Sequence, residues 1–345
     1  MDILILILGL AILVFGAEIL IRGSVSFGKK LNISLFAIGV VIVAAGTSLP
    51  ELASSINAVL NNHSDLALGA VVGSNIANLI LVMAATTIIV PIKNINNNQI
   101  NQAWINIALG ICLIIMSYFY FNYLFGIISL IALTLIMYFQ IKKGSILVDD
   151  IDKDEYSIFI SLILIIFGII SLIALTLIMY FQIKKGSIIV DDIDKNEYSI
   201  FISLILIIFG VIFLIYGSDL FVNSAIILAK KLQVSEAVIG LSLIAFGTSL
   251  PELVIGIMSA LKRKVDFALG NILGSNIYNV LGVLGISSFF GNFGMPEILA
   301  RQDLYFMLLI TFVILIFMLI FKKLGRLYGS VGLMLYLGYI YYIFI

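Results

Sequence analysis

Charged residues are scarce in this chain: they make up 11% of 345 residues. A soluble domain carries about 25% charged residues, so a water-soluble fold is excluded. Lys and Arg total 19 and so do Asp and Glu, which leaves no basic excess for nucleic-acid binding. The one cysteine, Cys112, excludes an internal disulfide. No basic segment precedes the first apolar run, so we expect it to be a retained helix and not a cleaved signal.

Hydrophobic residues, in contrast, make up 62% of the chain and form long continuous runs. Each run is about long enough to cross a bilayer as a helix, and β-barrel strands would alternate instead. The sequence therefore predicts an all-α polytopic membrane protein. The predicted spans are 2–22, 34–60, 66–91, 99–121, 123–142, 157–183, 199–229, 236–261, 265–290, 302–321 and 328–345.

An old internal repeat relates the two halves of the chain. Gly-Thr-Ser-Leu-Pro-Glu-Leu occurs at 46–52 and at 247–253, and Gly-Ser-Asn-Ile at 73–76 and at 274–277, so both motifs recur 201 residues later. Residues 16–84 align with 217–285 without a gap, with 27 identities in 69 positions. Paired intramembrane motifs of this kind are typical of transporters built from duplicated bundles.

A second, recent repeat lies between the halves, where 125–166 reappears as 167–208 with two changes. This copy adds the eleventh apolar run, 157–183. If that run makes no net crossing, sixteen of the nineteen Lys and Arg residues fall on one side, as the positive-inside rule requires. If it crosses, the bias disappears. How 157–183 is accommodated stays open.

The charge pattern therefore predicts ten ancestral transmembrane helices in two inverted five-helix repeats, plus one extra apolar helix from the tandem duplication. The expected units are a first repeat at 1–142, a central cytoplasmic region at 143–198 and a second repeat at 199–345. Both termini are expected outside the cell membrane.

Two acidic residues fall in the middle of apolar spans. Glu51 and Glu252 are repeat partners, and a charged residue in a span costs about 2.5–3.5 kcal/mol on insertion scales, so each is a functional candidate. The alternative is a structural hydrogen-bonded pair. Glu18 and Asp219, also repeat partners, lie nearer helix ends and either face a gating helix or extend toward the interface.

Oxygen-bearing residues accompany each glutamate. Thr47 lies four residues before Glu51, on the same helix face, and Pro50 and Gly46 loosen the helix there. A bent helix of this kind is tolerated where its carbonyls line a cavity or bind an ion. The next span supplies hydroxyl and amide groups, and the second half repeats the whole set: Ser48, Ser74 and Asn78, then Thr248, Ser249, Ser275 and Asn279. Such oxygens suit hard cations such as Ca²⁺ and Na⁺.

These motifs resemble those of the sodium/calcium exchanger family of the calcium/cation antiporter superfamily, over both repeats at 34–84 and 235–285. The resemblance implies four central cation sites and alternating access, in which 2–22 and 199–229 slide past a fixed core. It implies that Glu51 and Glu252 bind Ca²⁺ with the carbonyls of Thr47 and Thr248. It also implies flanking Na⁺ sites and a middle site, formed by the Ala44 and Ala245 carbonyls, the Ser48, Ser249, Ser74 and Ser275 hydroxyls, and Asn78 and Asn279. Some relatives carry Asp where this chain has Asn279, which leaves the stoichiometry and any proton coupling open.

The sequence thus predicts a Ca²⁺/Na⁺ antiporter in the lipid bilayer of the cell membrane, with no cofactor, no catalytic residue and no protein partner evident. Ca²⁺/H⁺ exchange and K⁺-dependent exchange are the alternatives within transport. An intramembrane enzyme using the two glutamates as acid and base is a remote alternative, since no protease motif accompanies them. A channel is disfavoured because carboxylates that bind tightly at mid-membrane would slow throughflow.

Overall fold

The computed structural model describes residues 2–144, 198–231, 245–297 and 302–344, and within these ranges the chain is nearly all helical. The extra apolar run 157–183 and most of the predicted central region 143–198 lie outside the described residues. The helices are α1 (Asp2–Lys30), α2 (Leu35–Thr47), α3 (Leu49–Leu60), α4 (Ser64–Ile89), α5 (Asn97–Met116), α6 (Tyr123–Gly144), α7 (Ile200–Lys231), α8 (Ala245–Thr248), α9 (Leu250–Leu261), α10 (Val265–Ser287), α11 (Leu304–Phe321) and α12 (Arg326–Phe344). The described ranges also contain four two-residue strands: β1 (Ile92–Lys93), β2 (Tyr120–Phe121), β3 (Phe293–Gly294) and β4 (Lys323–Leu324).

The length and hydropathy of these helices confirm a multi-span membrane protein. Seven of the described helices are long and apolar enough to cross a bilayer, or eight when α2 and α3 count as one bent span. The short helix α9 follows α8 after the break at Ser249, and residues 232–244, which precede α8, lie outside the described ranges. Two predicted boundaries are wrong. The helix α1 continues to Lys30, eight residues past the predicted end at 22, because the polar residues after Ile21 extend the helix as its last two turns. The helix α5 ends at Met116, five residues before the predicted end at 121, because Tyr120 and Phe121 form β2 instead.

The two longest of the described helices, α1 and α7, pack against each other in opposite directions. Gly9, Gly16 and Gly23 of α1, spaced seven residues apart, contact Phe221, Phe213 and Leu206 of α7 in turn, so α1 numbers rise as α7 numbers fall. At these glycines the backbones approach so closely that a methyl group on Gly16 would lie 2.9 Å from the Leu214 nitrogen. Small residues allow this approach in membrane helices, where dispersion and not hydrophobicity drives packing.

Short connections make α1, the α2–α3 pair, α4, α5 and α6 alternate in direction, and the strands join the connections of one half to those of the other. Ile92 pairs with Leu324 at one face of the bundle, and Phe121 pairs with Phe293 at the opposite face. After five passes α6 ends at the face where α1 ends. The start of α7 lies at that face too, because the Tyr198 amide donates a hydrogen bond of 3.0 Å to Ser26 Oγ near the end of α1. The second half therefore starts from the face opposite to the start of the first, which makes the halves inverted.

Both signature motifs interrupt their helices at the same place. The helix breaks at Ser48 (φ −83°, ψ 4°) and at Ser249 (φ −88°, ψ 3°), each just before a Leu-Pro pair that starts a new helix. The proline has no N–H to continue the upstream hydrogen-bond ladder but fits the first turn of a new helix. The axes of α2 and α3 consequently meet at a bend of 41°.

Three wide π-helical turns distort the neighbouring spans, at Gly39–Val43 in α2, Asn78–Val82 in α4 and Tyr278–Val283 in α10. Such turns are frequent at functional sites, and they leave carbonyls that need other donors. Two tyrosines supply them: the Tyr278 hydroxyl donates to the Val41 carbonyl at 2.9 Å, and the Tyr328 hydroxyl donates to the Leu79 carbonyl at 2.7 Å. The distorted turns are thus held in defined positions.

Candidate cation-binding site

The two glutamates occupy equivalent positions in the first turns of α3 and α9. Glu51 and Glu252 each follow a proline and are both 0% exposed. The unsatisfied backbone N–H groups at a helix N-terminus favour a negative charge nearby. The two carboxyl groups are also close enough to interact electrostatically. The breaks in the two spans therefore bring the two intramembrane acids together.

All four carboxylate oxygens are buried without a hydrogen-bond donor from any described residue. The Thr47 and Ser275 hydroxyls lie beside Glu252, but neither completes a well-directed hydrogen bond to it. A buried carboxylate without partners is strongly destabilising unless it coordinates a cation or takes up a proton. This observation argues against the alternative of a structural hydrogen-bonded pair.

A network of four asparagines crosses between the halves with two-fold symmetry. The repeat partners Asn75 and Asn276 each donate to the other's backbone carbonyl, at 3.4 and 3.3 Å. Asn78 Nδ2 donates to Asn276 Oδ1, and Asn279 Nδ2 donates to Asn75 Oδ1, both at 3.0 Å. The pseudo-two-fold axis of the molecule therefore passes between Asn75 and Asn276.

This network determines how two predicted site residues point. Because the amide nitrogens of Asn78 and Asn279 are used as donors, each residue keeps its oxygen Oδ1 buried and without a donor in the described part of the chain. Asn279 also donates to Ser74 Oγ at 2.9 Å, which joins a predicted residue of the first half to one of the second. The amide oxygens are thus available as ligands.

Hydroxyl groups complete the set of oxygens around the two glutamates, which we call the shell. Thr47 Oγ1 and Ser275 Oγ are 3.2 Å apart, another contact between the halves, and Thr47 Oγ1 also lies 3.4 Å from the Ala44 carbonyl oxygen. The Ser48 and Ser249 hydroxyls lie at the two helix breaks. Both are buried, and neither donates or accepts a hydrogen bond within the described ranges. In the second half Ala245 and Thr248 are the first and last residues of α8, immediately before the break. The twelve predicted residues thus all lie at the helix breaks or on the spans α4 and α10 that pack beside them.

Sequence reasoning missed Asn75, Asn276 and Asn271. The first two stand in the duplicated Gly-Ser-Asn-Ile motif, so their identity in both repeats was a usable signal. Asn271 carried no such signal, because the equivalent residue in the first half is Ala70. It contacts Thr47, whose Oγ1 donates to Asn271 Oδ1 at 3.3 Å.

The other acidic repeat pair lies outside this shell. Glu18 of α1 forms an ion pair with Arg22 of its own helix and one of 2.8 Å with Lys262, at the end of α9. Asp219 of α7 is exposed and accepts a hydrogen bond from Asn223 on the same helix. Glu18 therefore links α1 to the second half, whereas Asp219 makes the more local contact.

Carboxylate, amide, hydroxyl and carbonyl oxygens are the ligands that hard cations prefer. In the described ranges no three side chains of His, Cys, Asp or Glu come together, so neutral oxygens must supplement the two carboxylates. A two-fold set of oxygens at broken helices, inside an inverted repeat, defines a membrane-embedded cation-binding protein of the secondary-transporter class.

Comparison with known proteins identifies the family within that class. Residues 1–142 and 202–345 match the sodium/calcium exchanger protein family, and the chain belongs to it. The sodium/calcium exchanger MaX1 of Methanosarcina acetivorans is 32% identical over 349 residues, which covers 99% of this chain and 98% of the relative. An uncharacterized membrane protein of Methanocaldococcus jannaschii is 31% identical over 336 residues, covering 96% and 94% of the two chains. A structure of the sodium-calcium exchanger NCX_Mj soaked with 10 mM Na⁺ superposes with a TM-score of 0.76 at 28% identity, over 97% of this chain and 96% of that one.

Proposed function

We propose that this protein exchanges Ca²⁺ for Na⁺ across the cell membrane, and that both ions compete for the site around Glu51 and Glu252. One observation carries the proposal: the four carboxylate oxygens of Glu51 and Glu252 are fully buried and without hydrogen-bond donors in the described chain. Removing such charges from water costs several kcal/mol each, and a bound cation offsets that cost. Membership of the exchanger family supports the same conclusion.

Charge balance explains why the two ions exclude each other. Two carboxylates neutralise one Ca²⁺, or they can hold Na⁺ ions in its place. Because the ions use the same oxygens, Ca²⁺ and Na⁺ do not occupy them together, and a gradient of one ion can drive the other. Shared ligands therefore produce exchange and not cotransport.

We assign the ligands as the family resemblance suggests. Ca²⁺ binds Glu51 and Glu252 with the backbone carbonyls of Thr47 and Thr248. The flanking Na⁺ ions use the carbonyls and hydroxyls that lie on either side, and the amide oxygens line the middle site. These ligands are Ala44, Ala245, Ser48, Ser249, Ser74, Ser275, Asn78 and Asn279. The free amide oxygens of Asn78 and Asn279 support this assignment.

Alternating access requires a part of the molecule that moves, and the pair α1–α7 is suited to it. In the most apolar 18-residue stretches of α1 and α7, 28% and 39% of the residues are buried, against 94% for α10; α6 and α11 also have 39%. Val211 and Val222 of α7 contact Gly46 and Gly247, which precede the two helix breaks. Sliding of α1 and α7 would therefore uncover the site first from one side and then from the other.

The distribution of positive charge orients the protein in the membrane. Lys262 lies beside Glu18 and Arg22, which places basic residues from both halves at the face where α1 ends. Sixteen of nineteen Lys and Arg residues belong to this side if the chain makes no net crossing between α6 and α7. The start of α7 lies beside the end of α1, which is consistent with no net crossing. This face is the cytoplasmic one, with both termini outside.

The test is uptake of radiolabelled Ca²⁺ into proteoliposomes under imposed ion gradients. We expect uptake to follow an outward Na⁺ gradient and to be unaffected by a pH gradient or by K⁺. Uptake driven by a pH gradient and independent of Na⁺ would instead show Ca²⁺/H⁺ exchange, and a requirement for K⁺ would show K⁺-dependent exchange. A Ca²⁺ conductance in single-channel recording would show a channel.

A further inference from the structure

We propose that Asn271 is a positioning residue that sets the affinity of this site for Na⁺ by accepting a hydrogen bond from the Thr47 hydroxyl. The inference rests on the proposed Ca²⁺/Na⁺ exchange and concerns one end of that site. Asn271 is not one of the proposed ligands, and the duplicated half of the chain has Ala70 at the equivalent position. The two ends of an otherwise symmetric site are therefore chemically different.

Asn271 is fixed in place by unusually close packing of α2 against α10. A methyl group on Gly270 would collide with the Phe36 carbonyl oxygen, and one on Gly274 would lie 2.8 Å from Val40 Cα. At this separation the Asn271 side chain, 0% exposed, reaches the end of α2. Its Oδ1 accepts from Thr47 Oγ1 at 3.3 Å, and its Nδ2 is buried without an acceptor in the described part of the molecule.

The contacts form a chain of hydroxyl groups that ends at Asn271. Ser275 Oγ lies 3.2 Å from Thr47 Oγ1, and Thr47 Oγ1 lies 3.3 Å from Asn271 Oδ1. A hydroxyl binds a cation through a lone pair, so its proton must point to another acceptor. When Ser275 donates to Thr47 and Thr47 donates to Asn271, both protons are directed away from the ion. The Ser275 lone pairs are then free to bind Na⁺.

Without Asn271 the Thr47 hydroxyl must donate its hydrogen bond to a different acceptor. The other acceptors in reach are the Ala44 carbonyl, at 3.4 Å, the Ser275 hydroxyl, at 3.2 Å, and the Glu252 carboxylate beside Thr47, and we assign all three as ion ligands. Donation to any of these ligands would weaken its interaction with the ion, and a buried hydroxyl that finds no acceptor is left unsatisfied at a cost in free energy. Removing the acceptor at position 271 therefore disfavours Na⁺ binding.

Ca²⁺ binding does not depend on this chain of hydroxyls to the same degree. Its proposed ligands are the two glutamates and the backbone carbonyls of Thr47 and Thr248, none of which must redirect a proton. Asn271 thus affects the preference for Na⁺ over Ca²⁺ and not the total affinity for cations.

The experiment measures two constants in proteoliposomes: the external Na⁺ that half-inhibits Ca²⁺ uptake, and the external Ca²⁺ that half-saturates it. Asn271→Leu keeps the branched shape of the side chain and removes the acceptor. We expect its half-inhibiting Na⁺ concentration to rise about 5- to 30-fold, the equivalent of about 1–2 kcal/mol, with the Ca²⁺ constant within twofold of wild type. Asn271→Ala should behave like Asn271→Leu, and Asn271→Asp, which keeps an acceptor oxygen, should restore Na⁺ inhibition to within about threefold of wild type.

Asn106→Ala is the matched control, because Asn106 is another buried amide that contacts α10, through the Leu273 carbonyl at 3.1 Å, outside the ion shell. It should lower thermal stability and leave both constants unchanged. Equal shifts of the Na⁺ and Ca²⁺ constants in Asn271→Leu and Asn271→Ala, or no rescue by a folded Asn271→Asp protein, would overturn the role of Asn271. Absence of Na⁺ inhibition in the wild-type protein would overturn the proposed exchange itself, so the two failures are distinguishable.

Discussion

The close contact between α1 and α7 leads to a quantitative prediction for Gly16→Ala. The new methyl group would lie 2.8 Å from Phe213 Cβ and 2.9 Å from the Leu214 nitrogen, so the two helices must separate or shift. Overpacking of this kind costs about 1–3 kcal/mol. The neighbouring atom is backbone, which cannot move aside as a flexible side chain would.

Gly338→Ala provides the matched control. Gly338 is exposed in the interior of α12, and a methyl group there meets no atom within 4 Å. Replacing a helical glycine with alanine stabilises a helix by about 0.5–1 kcal/mol wherever there is room, and this gain is common to both variants. The difference between them therefore isolates the cost of separating α1 from α7.

The assay is the midpoint of thermal unfolding of each purified variant in one detergent. At about 2–4 °C per kcal/mol, the value for domains of 150–250 residues, Gly16→Ala should melt roughly 2–12 °C below Gly338→Ala. Exchange should also slow in Gly16→Ala, because α1 and α7 are the helices proposed to move. Equal melting temperatures for the two variants would refute the close helix contact on which that movement depends.

Two further predictions concern contacts between the halves. Asn75→Ala and Asn276→Ala each break the asparagine network, so each should weaken Ca²⁺ binding by the same factor, about 5- to 150-fold. The double variant should bind Ca²⁺ no more weakly than either single variant. Unequal or additive effects in a Ca²⁺ binding titration would contradict the two-fold network. Glu18→Gln removes the partly exposed ion pair with Lys262, which is worth about 0.2–1 kcal/mol. The exchange rate should therefore change by at most about fivefold, with unaltered Ca²⁺ affinity, and Asp219→Asn should leave the rate unchanged. A changed Ca²⁺ affinity in Glu18→Gln would contradict the position of Glu18 outside the cation site.

Much of this fold could be predicted because membrane insertion leaves few alternatives. A long apolar run must be helical in lipid, and the Leu-Pro-Glu step must break the helix, so both were evident in the sequence. The fixed offset of 201 residues between the paired motifs is enough to relate the two halves to each other. Glu51 and Glu252 could be recognised as candidates because acidic residues are rare inside transmembrane spans.

The orientation of the amides could not be predicted. Which atoms of Asn78 and Asn279 face the ion depends on donors and acceptors from the opposite half, such as Asn276 and Asn75, and spacing along one chain does not determine those contacts. The role of Asn271 was hidden because a search for repeated residues passes over a position that differs between the halves. The end of α1 was misplaced because polar residues such as Arg22 and Ser24 continue the helix beyond the apolar run.

The central claim is that Glu51 and Glu252 form one site that Ca²⁺ and Na⁺ share. Its most direct test is Ca²⁺ uptake driven by a Na⁺ gradient in proteoliposomes that contain Glu51→Gln, a substitution that keeps shape and removes the charge. We expect uptake to fall to the level of protein-free vesicles, although the protein stays folded, because a single carboxylate cannot neutralise a buried Ca²⁺. Near-normal uptake by a correctly folded Glu51→Gln protein would contradict it.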